Sequence, residues 1–135
     1  NRKIIVDFIL EHKLKKKIKI IGFQKNPFPY IKKADVFILS SLYEGLPNVL
    51  LEALTLKKFV ISSDCPTGPK EILDNGKYGF LFKVGDKSQL ANLIIRYSKN
   101  KKFYNKKINL AYKSLNRFDF NTCCKKYLSL VRKII

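Results

Sequence analysis

The sequence contains no Met and no Trp, a single His (His12), three Cys and only four Arg, at positions 2, 96, 117 and 132. Each shortage closes a class of function. Cys65 stands alone and Cys123-Cys124 are adjacent, so neither a disulfide framework nor a zinc cage can be assembled, and reduced thiols are expected. With His12 the single His and no Cys near it in sequence, Cys–His nucleophilic chemistry is not expected. No apolar run approaches about 18 residues, which argues against a transmembrane helix. Asp7 and Glu11 fall where a signal peptide would need an unbroken apolar core. The lack of an initiator Met leads us to expect a piece of a longer polypeptide.

What the sequence has in excess is lysine. Among 135 residues, 28 Lys+Arg oppose 10 Asp+Glu, for a net charge of +18. An apolar fraction of 46% still suits one globular domain. Such a charge points first to nucleic acid, but its distribution does not. Residues 1–33 carry 10 basic and 2 acidic groups and residues 99–135 carry 11 and 1, whereas residues 34–98 carry 7 of each. The cations are mostly Lys, where bidentate phosphate or guanine contacts favour Arg. The 10 Phe and 7 Tyr form no stacking platform of the RNA-binding kind. No nucleic-acid partner is expected; the basic flanks read first as solvated helical surface, and next as a patch drawn to an anionic membrane or to another domain of the same protein.

Hydrophobic periodicity predicts a helix over residues 2–14, with Ile4, Ile5, Phe8 and Ile9 on one stripe. A short strand is expected at Ile18–Phe23, a loop at Asn26–Pro29 and a short helix at Tyr30–Ala34. Val36-Phe37-Ile38-Leu39 reads as a strand buried on both faces. Pro47–Leu56 reads as a helix with Val49, Leu50, Ala53 and Leu54 inward. Strands follow at Phe59–Ile61 and Gly79–Phe82, separated by a short helix from Gly68-Pro69 to Leu73 and a turn at Asn75-Gly76. A helix from Asp86 or Ser88 to Lys99 and two more, near 103–114 and 121–134, complete the chain. Strands alternating with helices predict an α/β class: a Rossmann-like, doubly wound parallel sheet with a helical C-terminal tail.

In such a sheet ligands bind beyond the carboxyl ends of the strands, which selects the loops at 22–29, 40–47 and 63–69. The richest stretch is Ser40-Ser41-Leu42-Tyr43-Glu44-Gly45-Leu46-Pro47-Asn48-Val49-Leu50-Leu51-Glu52-Ala53. Gly45 permits close approach to the backbone. The helix start beyond it offers free N–H groups and a positive dipole end, suited to phosphate. Glu44 beside it would repel phosphate and suits a neutral hydroxyl-bearing group. Glu52, at the edge of the apolar stripe, needs a donor or solvent, and a ribose diol supplies two. On spacing alone, a loop-capping Glu44 and a surface Glu52 are the favoured explanation of the pattern.

Glu44 and Glu52, within Glu-Gly-Leu-Pro-Asn-Val-Leu-Leu-Glu-Ala, resemble the E-x7-E element of family-four retaining glycosyltransferases. The flanking blocks are similar in the same order: Gly22-Phe23, then Ala34-Asp35-Val36-Phe37-Ile38-Leu39-Ser40-Ser41, then Cys65-Pro66-Thr67-Gly68-Pro69-Lys70-Glu71-Ile72-Leu73, then Asn75-Gly76-Lys77-Tyr78-Gly79-Phe80-Leu81. The resemblance implies the C-terminal, donor-binding half of a two-domain GT-B enzyme spanning residues 1–135. It implies that Glu44 faces the hydroxyls of the donor sugar without acting as acid or base. The backbone of Gly45, Leu46, Pro47 and Asn48 would then lie against sugar and diphosphate, Glu52 would take the ribose hydroxyls, and Phe23 would border the base. For Gly68 and Glu71 a helix start explains the residues without a ligand. The family's Arg and Lys, which neutralise the leaving diphosphate, have no counterpart here, nor has the first strand or the acceptor-binding N-terminal domain. The implied donor is a nucleotide sugar, UDP-linked by analogy, and the acceptor a glycan or lipid-linked glycan at the cytoplasmic side of a bacterial membrane. No metal or other cofactor is expected, and the chain by itself is expected to be inactive. A sugar-nucleotide epimerase half-domain and a basic nucleic-acid-binding α/β module are the rival readings.

Overall fold

A computed structural model describes residues 2–134. Three strands, β1 (Val36–Leu39), β2 (Phe59–Ser63) and β3 (Phe80–Phe82), pair in parallel in that order. Phe37 lies opposite Val60, and Ile61 opposite Phe80. Seven α-helices accompany them among the described residues: α1 (Arg2–Glu11), α2 (Phe28–Lys33), α3 (Asn48–Thr55), α4 (Pro69–Ile72), α5 (Lys87–Lys99), α6 (Asn105–Ser114) and α7 (Phe120–Val131). Central β2 is buried at all five positions, and its pleat divides the core. Val60 packs with Leu50, Ala53 and Leu54 of α3, Ile72 and Leu73 at α4, and Ala111 of α6. Phe59 and Ile61 point the other way, to Phe80, Phe82, Tyr97 of α5 and Tyr104. Helices thus cover both faces, as expected of the α/β class.

The helix boundaries follow local chemistry. Asp86 caps α5 through the Gln89 amide at 2.8 Å, and Asp119 caps α7 through the Thr122 amide at 3.1 Å. Asn26 accepts from the Phe28 amide at 3.1 Å, so α2 begins two residues before the expected Tyr30. Helix α1 stops at Glu11, short of the expected residue 14. The Lys13 amide bonds the Leu10 carbonyl and the Leu14 amide the Ile9 carbonyl, with Lys13 at φ +54°, the geometry that ends helices through one left-handed residue.

Two expectations fail for a shared reason. Ile18–Phe23 forms no strand and lies exposed. A strand needs a neighbouring strand to take its backbone hydrogen bonds, and no described strand pairs with it. The stripe of α1 is likewise unpacked: Ile9 is buried, but Ile4, Ile5 and Phe8 are exposed. β1 is also not buried on both faces. It is an edge strand, with Ile38 37% exposed.

Lys107 ties α6 to the turn before β3. Its Nζ donates to the carbonyls of Gly76 (2.8 Å) and Gly79 (3.2 Å) and lies 5.3 Å from the Phe80 ring centre. Burial, and secondarily the charge of Arg96, pulls its pKa below the ordinary 10.5. A neutral amine keeps two N–H groups, enough for both carbonyls. Between the folded and unfolded pKa values the unfolded chain holds more protons, so stability rises with pH across that window. In urea unfolding, the wild-type advantage over Lys107→Leu is expected to grow as pH is raised from neutrality toward 10.5; a difference independent of pH would contradict this.

Candidate functional site

The loops leaving β1 and β2 meet beyond the carboxyl edge of the sheet, and hydroxyl groups hold them together. Ser63, buried at the end of β2, donates to the Ser41 carbonyl at 2.7 Å. Ser41 in turn donates its hydroxyl to the Glu44 carboxylate at 2.6 Å. From the second loop, the Thr67 hydroxyl reaches the Glu44 carbonyl and lies 3.2 Å from that of Gly45. Glu44 is thereby fixed at its side chain and at its backbone.

The contact between loops is close. A Cβ on Gly68 would stand 1.9 Å from the Gly45 carbonyl oxygen and 2.4 Å from Pro47 Cδ, and Gly68 has φ +52°. Glycine is needed there twice over, for space and for backbone conformation. Gly45 differs. A Cβ on it would meet nothing within 4 Å, and its φ lies outside the left-handed region. The packing of the chain does not demand glycine at 45.

Pro47 precedes α3 at the cap position and supplies no side-chain cap. Among the described residues no acceptor meets the amides of Asn48 and Val49. The helix therefore presents unsatisfied donors and the positive end of its dipole outward. One turn further, half-buried Glu52 lines a hollow of about 550 Å3 with Phe28, Asn48, Leu51, Thr55 and Leu56. It stands apart from the hydroxyl network that holds Glu44. Asn48 belongs both to the free helix end and to this hollow.

The structure thus gathers Glu44, Gly45, Leu46, Pro47 and Asn48 at the head of α3 and places Glu52 on the flank of that helix. Phe23 stands apart: 91% exposed, it lines another hollow with Gln24, Lys25, Asn26, Pro29, Tyr30 and Lys33. Phe28 is the aromatic residue beside Glu52. Gly68 supports the site through packing. Glu71 is exposed on α4, in a hollow shared with Leu46, Arg117 and Lys126. Sequence reasoning missed the roles of Ser41, Ser63 and Thr67. The one local signal was two serines closing an otherwise apolar strand, at 62 and 63.

A parallel sheet with helices on both faces and an open helix end at its carboxyl edge is the Rossmann-like α/β class. Within that class the chain belongs to the group 1 glycosyl transferases, whose family model matches residues 1–114. It is 47% identical over 83 residues to an uncharacterized glycosyltransferase of Methanocaldococcus jannaschii, covering 52% of this chain and 20% of that protein. It is 27% identical over 127 residues to the Campylobacter jejuni N-acetylgalactosamine-N,N'-diacetylbacillosaminyl-diphospho-undecaprenol 4-alpha-N-acetylgalactosaminyltransferase, covering 92% of this chain and 35% of that protein. In fold it superimposes on the Anabaena HepE crystal structure, solved in complex with UDP, with a TM-score of 0.86 at 22% identity, over 97% of this chain and 36% of that one. The chain therefore spans between a fifth and about a third of the length of these proteins. The GT-B assignment stands, and neither the epimerase nor the nucleic-acid reading is favoured.

Proposed function

We propose that this chain supplies the nucleotide-sugar site of a retaining glycosyltransferase. The observation that carries the reading is the uncapped start of α3, set between two carboxylates of different environment. The diphosphate sits at the Asn48 and Val49 amides, where dipole and donors favour negative charge. Glu44, oriented by Ser41, accepts from a hydroxyl of the sugar. Glu52 accepts from the ribose diol, with Phe28 or Phe23 bordering the base. UDP is the nucleotide that analogy with the HepE complex supports.

Transfer itself requires groups beyond these. The residues at the head of α3 bind and orient the donor, and none of them is a base or nucleophile. An acceptor domain, a further strand beside β1, and an Arg and a Lys that neutralise the leaving diphosphate belong to the rest of the enzyme. The exposed edge of β1 and the bare stripe of α1 support that view. The acceptor is a glycan or lipid-linked glycan, in line with the undecaprenol-linked substrate in the name of the Campylobacter relative. The enzyme works at the cytoplasmic face of the membrane, toward whose anionic surface the Lys-rich flanks are drawn. No helix among the described residues is long and apolar enough to cross it.

Titration with UDP, followed by amide chemical shifts, tests the donor site. Shifts are expected at 44–52, and Glu52→Ala is expected to weaken binding about 10- to 100-fold, through hydrogen bonds to a charged acceptor. If UDP leaves 44–52 unperturbed while single-stranded DNA binds with a steep salt dependence, the donor reading is wrong.

A further inference from the structure

Thr67 has φ +64°. A β-branched residue in the left-handed region is an outlier with a conformational cost. Glycine would occupy that position freely, yet it would bring no hydroxyl. The Thr67 hydroxyl faces the carbonyls of Glu44 and Gly45, 23 and 22 residues away in sequence. The strained backbone is what brings the hydroxyl there, and the next residue, Gly68, packs directly on the Gly45 carbonyl and Pro47. Ser41 holds the carboxylate of Glu44 within its own loop. Ser63 anchors that loop at Ser41. Among the described residues, Thr67 is the one whose side chain hydrogen-bonds the backbone at Glu44-Gly45, immediately before the open end of α3.

We propose that Thr67 is a positioning residue for the donor site: its hydroxyl clamps the Glu44 and Gly45 carbonyls, so that this backbone and the Glu44 side chain are already in place when the nucleotide diphosphate reaches the head of α3. This inference rests on the donor reading above. Without the clamp, the loop is ordered only on binding, and affinity falls by that ordering cost.

The test compares Thr67→Val, which keeps the shape and β-branching but loses the donor, with Thr67→Ser, which keeps the donor. Both are made in the 135-residue chain. Two readouts are taken: backbone amide order parameters at 44–46, and UDP affinity by calorimetry. In Thr67→Val the order parameters are expected to fall from about 0.85 to below about 0.6, with the resonances of β2 unchanged. UDP affinity is expected to fall about fivefold, the worth of one neutral hydrogen bond. Thr67→Ser is expected to restore both. Order parameters unchanged in Thr67→Val overturn the clamp. A loosened loop with UDP affinity intact overturns the positioning role and leaves Thr67 a loop tie only. A wild-type chain that does not bind UDP removes the donor reading itself, a failure seen before any substitution is made.

Discussion

Gly68→Ala is expected to cost about 2–5 kcal/mol of stability and to remove UDP binding. The conformational part is a left-handed φ, costing about 1–2 kcal/mol for an L-residue. The larger part is steric. A methyl at 68 would overlap the Gly45 carbonyl oxygen at 1.9 Å and Pro47 Cδ at 2.4 Å, and forced overpacking costs about 1–3 kcal/mol. Neither neighbour is a flexible side chain tip that could swing aside. Both belong to the segment leading into α3, so relief of the overlap displaces the head of the helix. Gly45→Ala is the matched control. Its Cβ enters open space at an ordinary φ, so stability should change by no more than about 0.5 kcal/mol, while on the proposed donor reading the added methyl is expected to lower UDP affinity. Urea unfolding and calorimetry on both variants check this. A Gly68→Ala protein as stable as wild type would show that the two loops are not in contact, and unaltered UDP binding by Gly45→Ala would remove the ligand from that surface.

The second large effect lies in the core. Phe59 opens β2 at 1% exposure. Its ring stacks on Tyr97 at 4.5 Å and meets Phe80 and Tyr104 at 4.9 Å each. Tyr97 continues the assembly by donating to the Asp35 carbonyl at 2.9 Å, just before β1. Burial raises the Tyr97 pKa above the ordinary 10.0, so the hydroxyl stays a donor to higher pH than a free tyrosine would. Phe59→Ala is expected to cost about 3–5 kcal/mol, a large share of the roughly 5–15 kcal/mol typical of a domain. Phe59→Leu should recover part of it. Phe103→Ala, at a ring 76% exposed, should be near neutral. Urea midpoints for the three variants rank these effects, and equal midpoints for Phe59→Ala and Phe103→Ala would refute the assigned core.

How far the sequence was legible depends on the range of the interaction that decides each feature. The β2 run Phe59-Val60-Ile61 was readable because a strand buried on both faces leaves a continuous apolar run, and the α3 stripe Leu50, Ala53 and Leu54 because burial of one helix face imposes a period of 3.6. Asp86 and Ser88 were both readable as the start of α5, and the structure selects Asp86, whose cap acts three residues away. Glu44 and Glu52 were readable as a spaced pair, although the spacing did not reveal that Ser41 holds one and that the other lines a hollow with Phe28. Ile18–Phe23 has the composition of a strand and forms none, because composition cannot supply a hydrogen-bonding neighbour.

The net charge is the plainest case. Its value, +18, and its concentration in residues 1–33 and 99–135 follow from composition alone. So do the α/β class and the family motif, since alternation, caps and Glu-Gly-Leu-Pro-Asn are local along the chain. Tertiary structure alone decided how the site is held. Ser63 to Ser41, Thr67 to Glu44 and Gly68 on Gly45 join positions 22 or 23 residues apart. No periodicity encodes those pairs. They exist because parallel strands place successive carboxyl-end loops side by side, and there a hydroxyl, or the absence of a Cβ, determines whether two loops can touch.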